Sequence, residues 1–160
     1  MPADSAIEGV NDSKKISEKK REIIFETITS EAIAWSVGLS HQDEIDEINI
    51  LNATKKAVAR ALKALEIKPD IILLDALTGI DTKGIPQEGI VRGDARVYSI
   101  ACGSIIAKVI RDRMMREYDE MYPGYGFSEH KGYGTAKHIQ AVRENGTCEI
   151  HRKSFVKNFI

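Results

Sequence analysis

Two aspartates stand where this chain could bind a metal ion. Asp75 follows the unbroken apolar run Ile71–Leu74, which is typical of a strand buried on both faces. Open α/β sheets bind ligands at the carboxyl ends of such strands. Asp94 comes 19 residues later, so one loop and one short strand can return it to the first aspartate. Two carboxylates are the minimum for a phosphate-directed site for a hard cation such as Mg²⁺. Each aspartate taken alone is more typical of a loop or a helix start.

A short basic segment near the amino end is a candidate phosphate contact. Ser13, Lys14 and Lys15 precede the start of a predicted helix, where lysines and free backbone amides can bind a phosphate. An exposed charged turn has the same composition, and it is the commoner explanation of such a run. The segment therefore predicts a phosphate contact only in combination with other features.

Aromatic and basic residues alternate with glycine over residues 122–134. This stretch has four glycines and three tyrosines, among them Tyr133, together with His130 and Lys131. Aromatic rings on such a loop can stack on a base or a sugar of a nucleic acid. A packed surface loop would have the same residues, so both interpretations stay open.

The elements that must position these residues can be predicted from hydrophobic periodicity and capping residues. Four helices are predicted, over residues 17–30, 40–69, 97–121 and 135–146. Three strands are predicted, over residues 33–39, 71–75 and 90–91. Because a long amphipathic helix is followed at once by a buried strand, the pattern favours an α/β fold.

Composition limits the class of protein. The chain has 160 residues, of which 42% are hydrophobic and 29% charged, as expected of a single globular domain over residues 1–160. No apolar run approaches the roughly 20 residues that span a bilayer, and two cysteines cannot form a disulfide framework. We therefore expect a cytoplasmic protein with no membrane association. Residues 91–160 carry 12 basic against 8 acidic residues, which permits but does not establish binding to nucleic acid.

Eight segments of the chain follow one another in an order typical of one enzyme family. They are Asn11–Lys15, Asp46–Asn49, Leu74–Asp75, Gly93–Ala95, Ser104–Arg113, Tyr122–Phe127, His130–Thr135 and His151–Phe155. Together they make the chain resemble bacterial ribonuclease HII. The resemblance spans residues 8–156 and implies a ribonuclease-H-like mixed sheet flanked by helices.

The resemblance implies an endonuclease that needs Mg²⁺ or Mn²⁺. Such enzymes cut the RNA strand of RNA/DNA hybrids and nick duplex DNA at embedded ribonucleotides. Of the family's four metal-binding carboxylates, two fall on Asp75 and Asp94, which are the implied catalytic residues. The tyrosine that contacts the sugar of the ribonucleotide falls on Tyr133. The segment near backbone phosphates falls on Ser13, Lys14 and Lys15, whereas Asp112 falls on the long helix and is expected to be structural. No obligate protein partner is indicated.

The amino end departs from the family. Members begin with a strand that carries Asp-Glu-Ala-Gly-Arg-Gly and continue with a second strand, and this sequence contains neither. We therefore expect a fold truncated at the amino end, with impaired or absent activity. Strands 33–39 and 71–75 would then have unpaired edges, which predicts an unstable or aggregating chain.

Three interpretations follow from this departure. The chain is a ribonuclease HII whose start lies upstream, a non-catalytic protein that binds RNA/DNA hybrids, or an unstable gene fragment. The codons upstream of Met1 would separate them.

Overall fold

The computed structural model describes residues 1–159, which form seven helices and two strands. The helices are α1 Glu18–Glu31, α2 Gln42–Ala64, α3 Gly93–Arg96, α4 Tyr98–Met121, α5 Phe127–His130, α6 Ala136–Asn145 and α7 Lys153–Val156. The strands are β1 Ile72–Asp75 and β2 Gln87–Ile90. The chain divides into two compact units, unit 1 from residues 1–39 and 54–109, and unit 2 from residues 40–53 and 110 onward. That the chain is one domain stays a prediction.

A two-stranded parallel sheet lies in unit 1. Strands β1 and β2 pair with Ile72 opposite Gln87 and Asp75 opposite Ile90. The predicted strand 71–75 is thus confirmed, whereas the next strand begins three residues earlier than predicted. The side chain of Gln87 bonds both the N–H and the carbonyl of Ile80, at 2.9 and 2.8 Å, and so ties the preceding loop to the start of β2.

The predicted strand 33–39 is wrong, since this segment is irregular. Its polar groups bond to the carboxyl-terminal half of α2 instead of to a strand. The Ser36 hydroxyl donates to the Ala61 carbonyl at 2.7 Å. At Gly38 an added Cβ would lie 2.0 Å from the carbonyl oxygen of Ala57, so only glycine permits this approach. The side of this segment that faces α2 thus carries Ser36 and Gly38, whereas the apolar side chains of Ile33, Trp35 and Leu39 are exposed.

Side-chain caps begin helices α1 and α6. Ser17 accepts a hydrogen bond from the Lys20 amide and begins α1, and Thr135 does the same for α6 through the His138 amide. Helix α2 ends at Ala64, earlier than predicted. It is also interrupted at Asn49, where φ is 66° and ψ is 164°, and the Asn49 side chain accepts from the Asn52 amide to begin the next turn. No helix among residues 1–159 is long and apolar enough to cross a membrane.

The core of unit 2 is aromatic. Phe127 and Val142 are almost completely buried, and the other members of this cluster are Met115, Tyr125, Ala141, Val156 and Phe159. Phe127 begins the short helix α5 inside the stretch 122–134 that the sequence predicted to be irregular. The glycine-rich stretch is therefore anchored in a packed core at its centre.

Candidate metal and nucleic-acid site

The structure brings Asp75 against the residue that precedes Asp94. Asp75 is the last residue of β1 and its side chain is exposed. One oxygen of its carboxylate, Oδ1, accepts a hydrogen bond from the Gly93 amide at 2.8 Å. Asp94 is the next residue, in the first turn of α3. The two aspartates therefore lie close together at the carboxyl ends of paired strands, where parallel sheets bind ligands.

Gly93 makes this approach possible. A Cβ at this position would meet the Asp75 Cα at 3.3 Å and the Ile100 Cδ1 at 2.6 Å. Arg92, just before it, has a φ of 56°, which turns the chain sharply after β2. No sequence rule pointed to Gly93, because its role depends on which residue faces it across the sheet end.

The donor set of this site suits a hard cation. Asp75 and Asp94 offer carboxylate oxygens, and Oδ1 of Asp75 is oriented by a backbone amide. Residues 1–159 contain no group of three or more His, Cys, Asp or Glu side chains placed to hold a metal ion. Mg²⁺ is commonly bound by one or two carboxylates, with water and substrate phosphates as the remaining ligands. The residues present therefore fit an open magnesium-type site.

The three candidate residues of the basic segment before α1 differ in their exposure to solvent. Ser13 is buried, and its hydroxyl lies 2.9 Å from that of Ser104 on α4. Lys14 and Lys15 are exposed. The Asp12 side chain accepts from the Lys14 amide at 3.0 Å and shapes the turn that carries both lysines. The lysines are therefore accessible to a phosphate, while the serine hydroxyl already has a partner.

Tyr133 lies in unit 2 between α5 and α6, and 63% of it is exposed. Its loop is held by side chains at several backbone positions. Arg111 donates to the Lys131 carbonyl at 2.7 Å, and the Gly132 amide donates to His130 Nδ1 at 3.1 Å. Nδ1 of His138 lies 2.9 Å from the Tyr133 carbonyl oxygen. An exposed aromatic ring is thus carried on a fixed backbone.

Three buried histidines beneath this loop were missed by the sequence reasoning. His130, His138 and His151 are 7%, 3% and 6% exposed. The rings of His130 and His138 stack at 4.3 Å between centroids, and Nε2 of His138 lies 3.1 Å from Nε2 of His151. Burial lowers the pKa of His138 and of His151. Their spacing follows no metal-binding or catalytic motif, so no signal in the sequence marked them as a cluster.

Two further aspartates have structural roles. Asp46 accepts from the Lys153 amide at 2.6 Å and from the Ser154 hydroxyl, and these bonds begin α7. The hydroxyl bond is the main reason that the pKa of Asp46 is lowered. Asp112, expected to be structural, is 1% exposed. Asp46 therefore caps α7, far from it in the sequence. Its position at the start of α2 did not indicate this role.

Comparison with known proteins gives one consistent family. The sequence pattern of the family described as Ribonuclease HII matches residues 6–158. A protein of Acetivibrio thermocellus named Ribonuclease HII is 54% identical over 160 residues, which is 100% of this chain and 62% of that protein. A protein of the same name from Caldicellulosiruptor saccharolyticus is 51% identical over 160 residues, which is 78% of its length.

The fold has a counterpart among solved structures. The crystal structure of the ribonuclease H2 from Pyrococcus horikoshii OT3 is similar, with a TM-score of 0.75 and 24% identity. The similarity covers 94% of this chain and 80% of that chain. It confirms the predicted ribonuclease-H-like α/β fold. The chain spans only about 62% of the length of some of its curated relatives, including the Acetivibrio protein.

Proposed function

Because this chain belongs to the ribonuclease HII family, we propose that it hydrolyses the RNA strand of RNA/DNA hybrids and nicks duplex DNA at single ribonucleotides. The observation that carries this proposal is the contact of the Asp75 carboxylate with Gly93, beside Asp94. Both aspartates lie at the end of a parallel sheet, in the position that suits a phosphate-directed metal site.

Asp75 and Asp94 would hold the metal ion, which we propose to be Mg²⁺ or Mn²⁺. When bound, such an ion activates water and neutralises charge on the phosphate that is cut. The role of the protein is to keep the two carboxylates in place. The Gly93 amide does this for Asp75, because it fixes one carboxylate oxygen and leaves the other for a ligand.

Binding of the substrate would depend on other residues. Lys14 and Lys15 are exposed on the turn before α1, and each can neutralise a backbone phosphate. Tyr133 presents an exposed ring suited to contact with the sugar or base of the ribonucleotide. Ser13 would contribute through the shape of its turn. We also propose that the protein works in the cytoplasm, where its two free cysteines would stay reduced.

Titration with Mn²⁺ tests the metal site directly. Asp75→Asn should weaken Mn²⁺ binding by about tenfold or more, since loss of a carboxylate ligand removes a full charge. Asp70→Asn is the matched control, because Asp70 is an exposed aspartate just before β1. Isothermal titration calorimetry gives both affinities. Equal affinity of the Asp75→Asn variant and the unchanged chain would overturn the assignment of the metal site.

A nicking assay separates the enzyme from a protein that only binds. The substrate is an end-labelled DNA duplex with one ribonucleotide, in Mg²⁺ or Mn²⁺, with the Acetivibrio thermocellus relative as positive control. Cleavage that Asp75→Asn and Asp94→Asn each abolish supports the proposed enzyme. Tight binding without cleavage favours the second candidate, a non-catalytic hybrid-binding protein, for which the exposed lysines and Tyr133 argue. Absence of both binding and cleavage would contradict both candidates.

A further inference from the structure

The backbone amide and the backbone carbonyl of Tyr133 both have hydrogen-bond partners. Its amide donates to the His130 carbonyl at 2.9 Å. Its carbonyl oxygen lies 2.8 Å from the Thr135 amide and 2.9 Å from His138 Nδ1. A carbonyl oxygen only accepts hydrogen bonds, so the Nδ1 atom of His138 must carry the proton. The exposed ring of Tyr133 is therefore placed by a buried histidine.

The proton positions on His151 follow from those on His138. In a neutral His138, Nε2 accepts, and it faces His151 Nε2 at 3.1 Å. His151 must then donate from Nε2 and accept at Nδ1, where the Cys148 amide lies at 3.0 Å. One uncharged chain thus runs from the Cys148 amide through His151 and His138 to the Tyr133 carbonyl, with each ring in one tautomer.

His130 fixes the same loop independently. Its Nε2 atom lies 2.7 Å from the Tyr125 carbonyl and donates to it, while Nδ1 accepts from the Gly132 amide at 3.1 Å. Every ring nitrogen of the three histidines therefore has a partner in the neutral state. Protonation of His138 would set its Nε2–H against that of His151, and protonation of His130 would set its Nδ1–H against the Gly132 amide.

Among residues 1–159, no carboxylate contacts His138 to stabilise a positive charge. The titratable groups of these residues that face the His138 and His151 rings are His130, the Cys148 thiol and Tyr125, and the rings of Phe127 and Phe159 pack against His138. Burial, and the other histidines nearby, lower the pKa of His138. The chain of hydrogen bonds is therefore stable in its uncharged form and is broken by acid.

We propose that His138 is a positioning residue that holds Tyr133 in place for the nucleic acid, with His151 setting the tautomer that His138 needs. This inference rests on the proposed contact between Tyr133 and the ribonucleotide. It predicts that substrate preference depends on a side chain buried beneath the loop, which need not touch the substrate.

Fluorescence anisotropy tests the inference with two labelled duplexes, one containing a single ribonucleotide and one of DNA only. Tyr133→Ala should reduce the preference for the ribonucleotide about tenfold. His138→Phe, which fills the space without a donor, should reduce it to a similar extent. His138→Asn keeps an N–H group near the Nδ1 position and should stay within about threefold of the unchanged chain. His41→Asn, at an exposed histidine, is the control and should have no effect.

The double variant separates positioning from general damage to the fold. If His138 acts through Tyr133, His138→Phe should have no further effect in the Tyr133→Ala background. Additive losses would overturn the positioning role. A large effect of Tyr133→Ala with none of His138→Phe would overturn the inference but leave the proposed substrate contact intact. No effect of Tyr133→Ala would overturn both.

Two further measurements follow the protons of the histidines, and the first needs no variant. Nitrogen-15 NMR should show the proton of His138 on Nδ1 and that of His151 on Nε2, and the opposite tautomer of His138 would contradict the proposal. The preference for the ribonucleotide should also decline in acid, and only at a pH well below the ordinary histidine value of about 6.5, because burial lowers the pKa of His138 in the folded chain. His138→Asn cannot take up this proton, so its preference should decline less. Equal pH profiles would overturn the role of His138.

Discussion

The carboxylate pair of unit 1 and the histidine cluster of unit 2 are built in opposite ways. Asp75 is exposed, and one of its oxygens is oriented by a single backbone amide. His138 is buried, and both of its ring nitrogens have partners within the chain. The proposed metal site therefore leaves carboxylate oxygen open to a ligand from outside, whereas the histidine nitrogens have their partners within the chain. We thus propose that residue types able to do chemistry form a site in one unit and a support in the other.

Phe127→Ala should show the largest difference between the two regions. Phe127 is 2% exposed, and its ring lies 5.9, 5.5 and 5.5 Å from those of His130, His138 and His151. Its removal should lower the free energy of unfolding by about 3–5 kcal/mol, as measured by urea denaturation. Asp75→Asn should change it by less than about 0.5 kcal/mol, since asparagine can still accept from Gly93. Equal losses of unfolding free energy in the two variants would contradict the contrast between the two regions.

Low pH should destabilise mainly the histidine cluster of unit 2. Because burial lowers the pKa of His138 and His151 in the folded chain, the unfolded chain binds protons more readily. Stability contributed by these neutral rings is therefore present above about pH 6.5 and is lost as the pH falls below it. Hydrogen exchange, corrected for intrinsic rates, should show α6 losing protection at pH 5 before α1 does. Equal protection of α6 at pH 5 and pH 7.5 would contradict this.

Gly38→Ala tests whether unit 1 depends on close backbone contact instead of buried rings. The added methyl group would lie 2.0 Å from the Ala57 carbonyl oxygen and 2.6 Å from the Ala61 amide nitrogen. Separating the segment from α2 should cost about 1–3 kcal/mol, read as a lower midpoint of thermal unfolding. A wild-type midpoint would show that the contact is dispensable.

Gly103→Ala should have the smallest effect, and of opposite sign. Gly103 lies within α4, and a Cβ there meets no heavy atom within 4 Å. Alanine should stabilise the helix by about 0.5–1 kcal/mol. A rise in the midpoint of thermal unfolding would confirm this. A fall would mean that the surface of α4 at residue 103 must stay free of a side chain.

Part of the site could be predicted from the sequence, because its signals are local. The apolar run 71–74 predicted β1 and placed Asp75 at its end, and Ser17 and Thr135 marked the starts of α1 and α6. Such signals depend on a few neighbouring residues, so they hold whatever the rest of the chain does.

Other features were decided by tertiary structure. The alternating residues 33–39 predicted a strand, yet the segment is irregular and contacts α2 through Ser36 and Gly38, while Ile33, Trp35 and Leu39 are exposed. Alternation does not by itself provide a neighbouring strand to pair with. The role of Asp46 could not be predicted either, because its hydrogen-bond partners Lys153 and Ser154 lie more than 100 residues away in the sequence.

By itself, the sequence determined four of the seven helices among residues 1–159, the strand before Asp75, the two candidate carboxylates and the family resemblance. Only the tertiary structure set Asp75 against Gly93, stacked His138 on His130 and brought His138 within hydrogen-bond distance of His151. The physical reason is that caps and periodicity act over one or two turns of chain, whereas these contacts join residues whose separation in sequence carries no pattern. They form only when packing brings distant backbone and rings together.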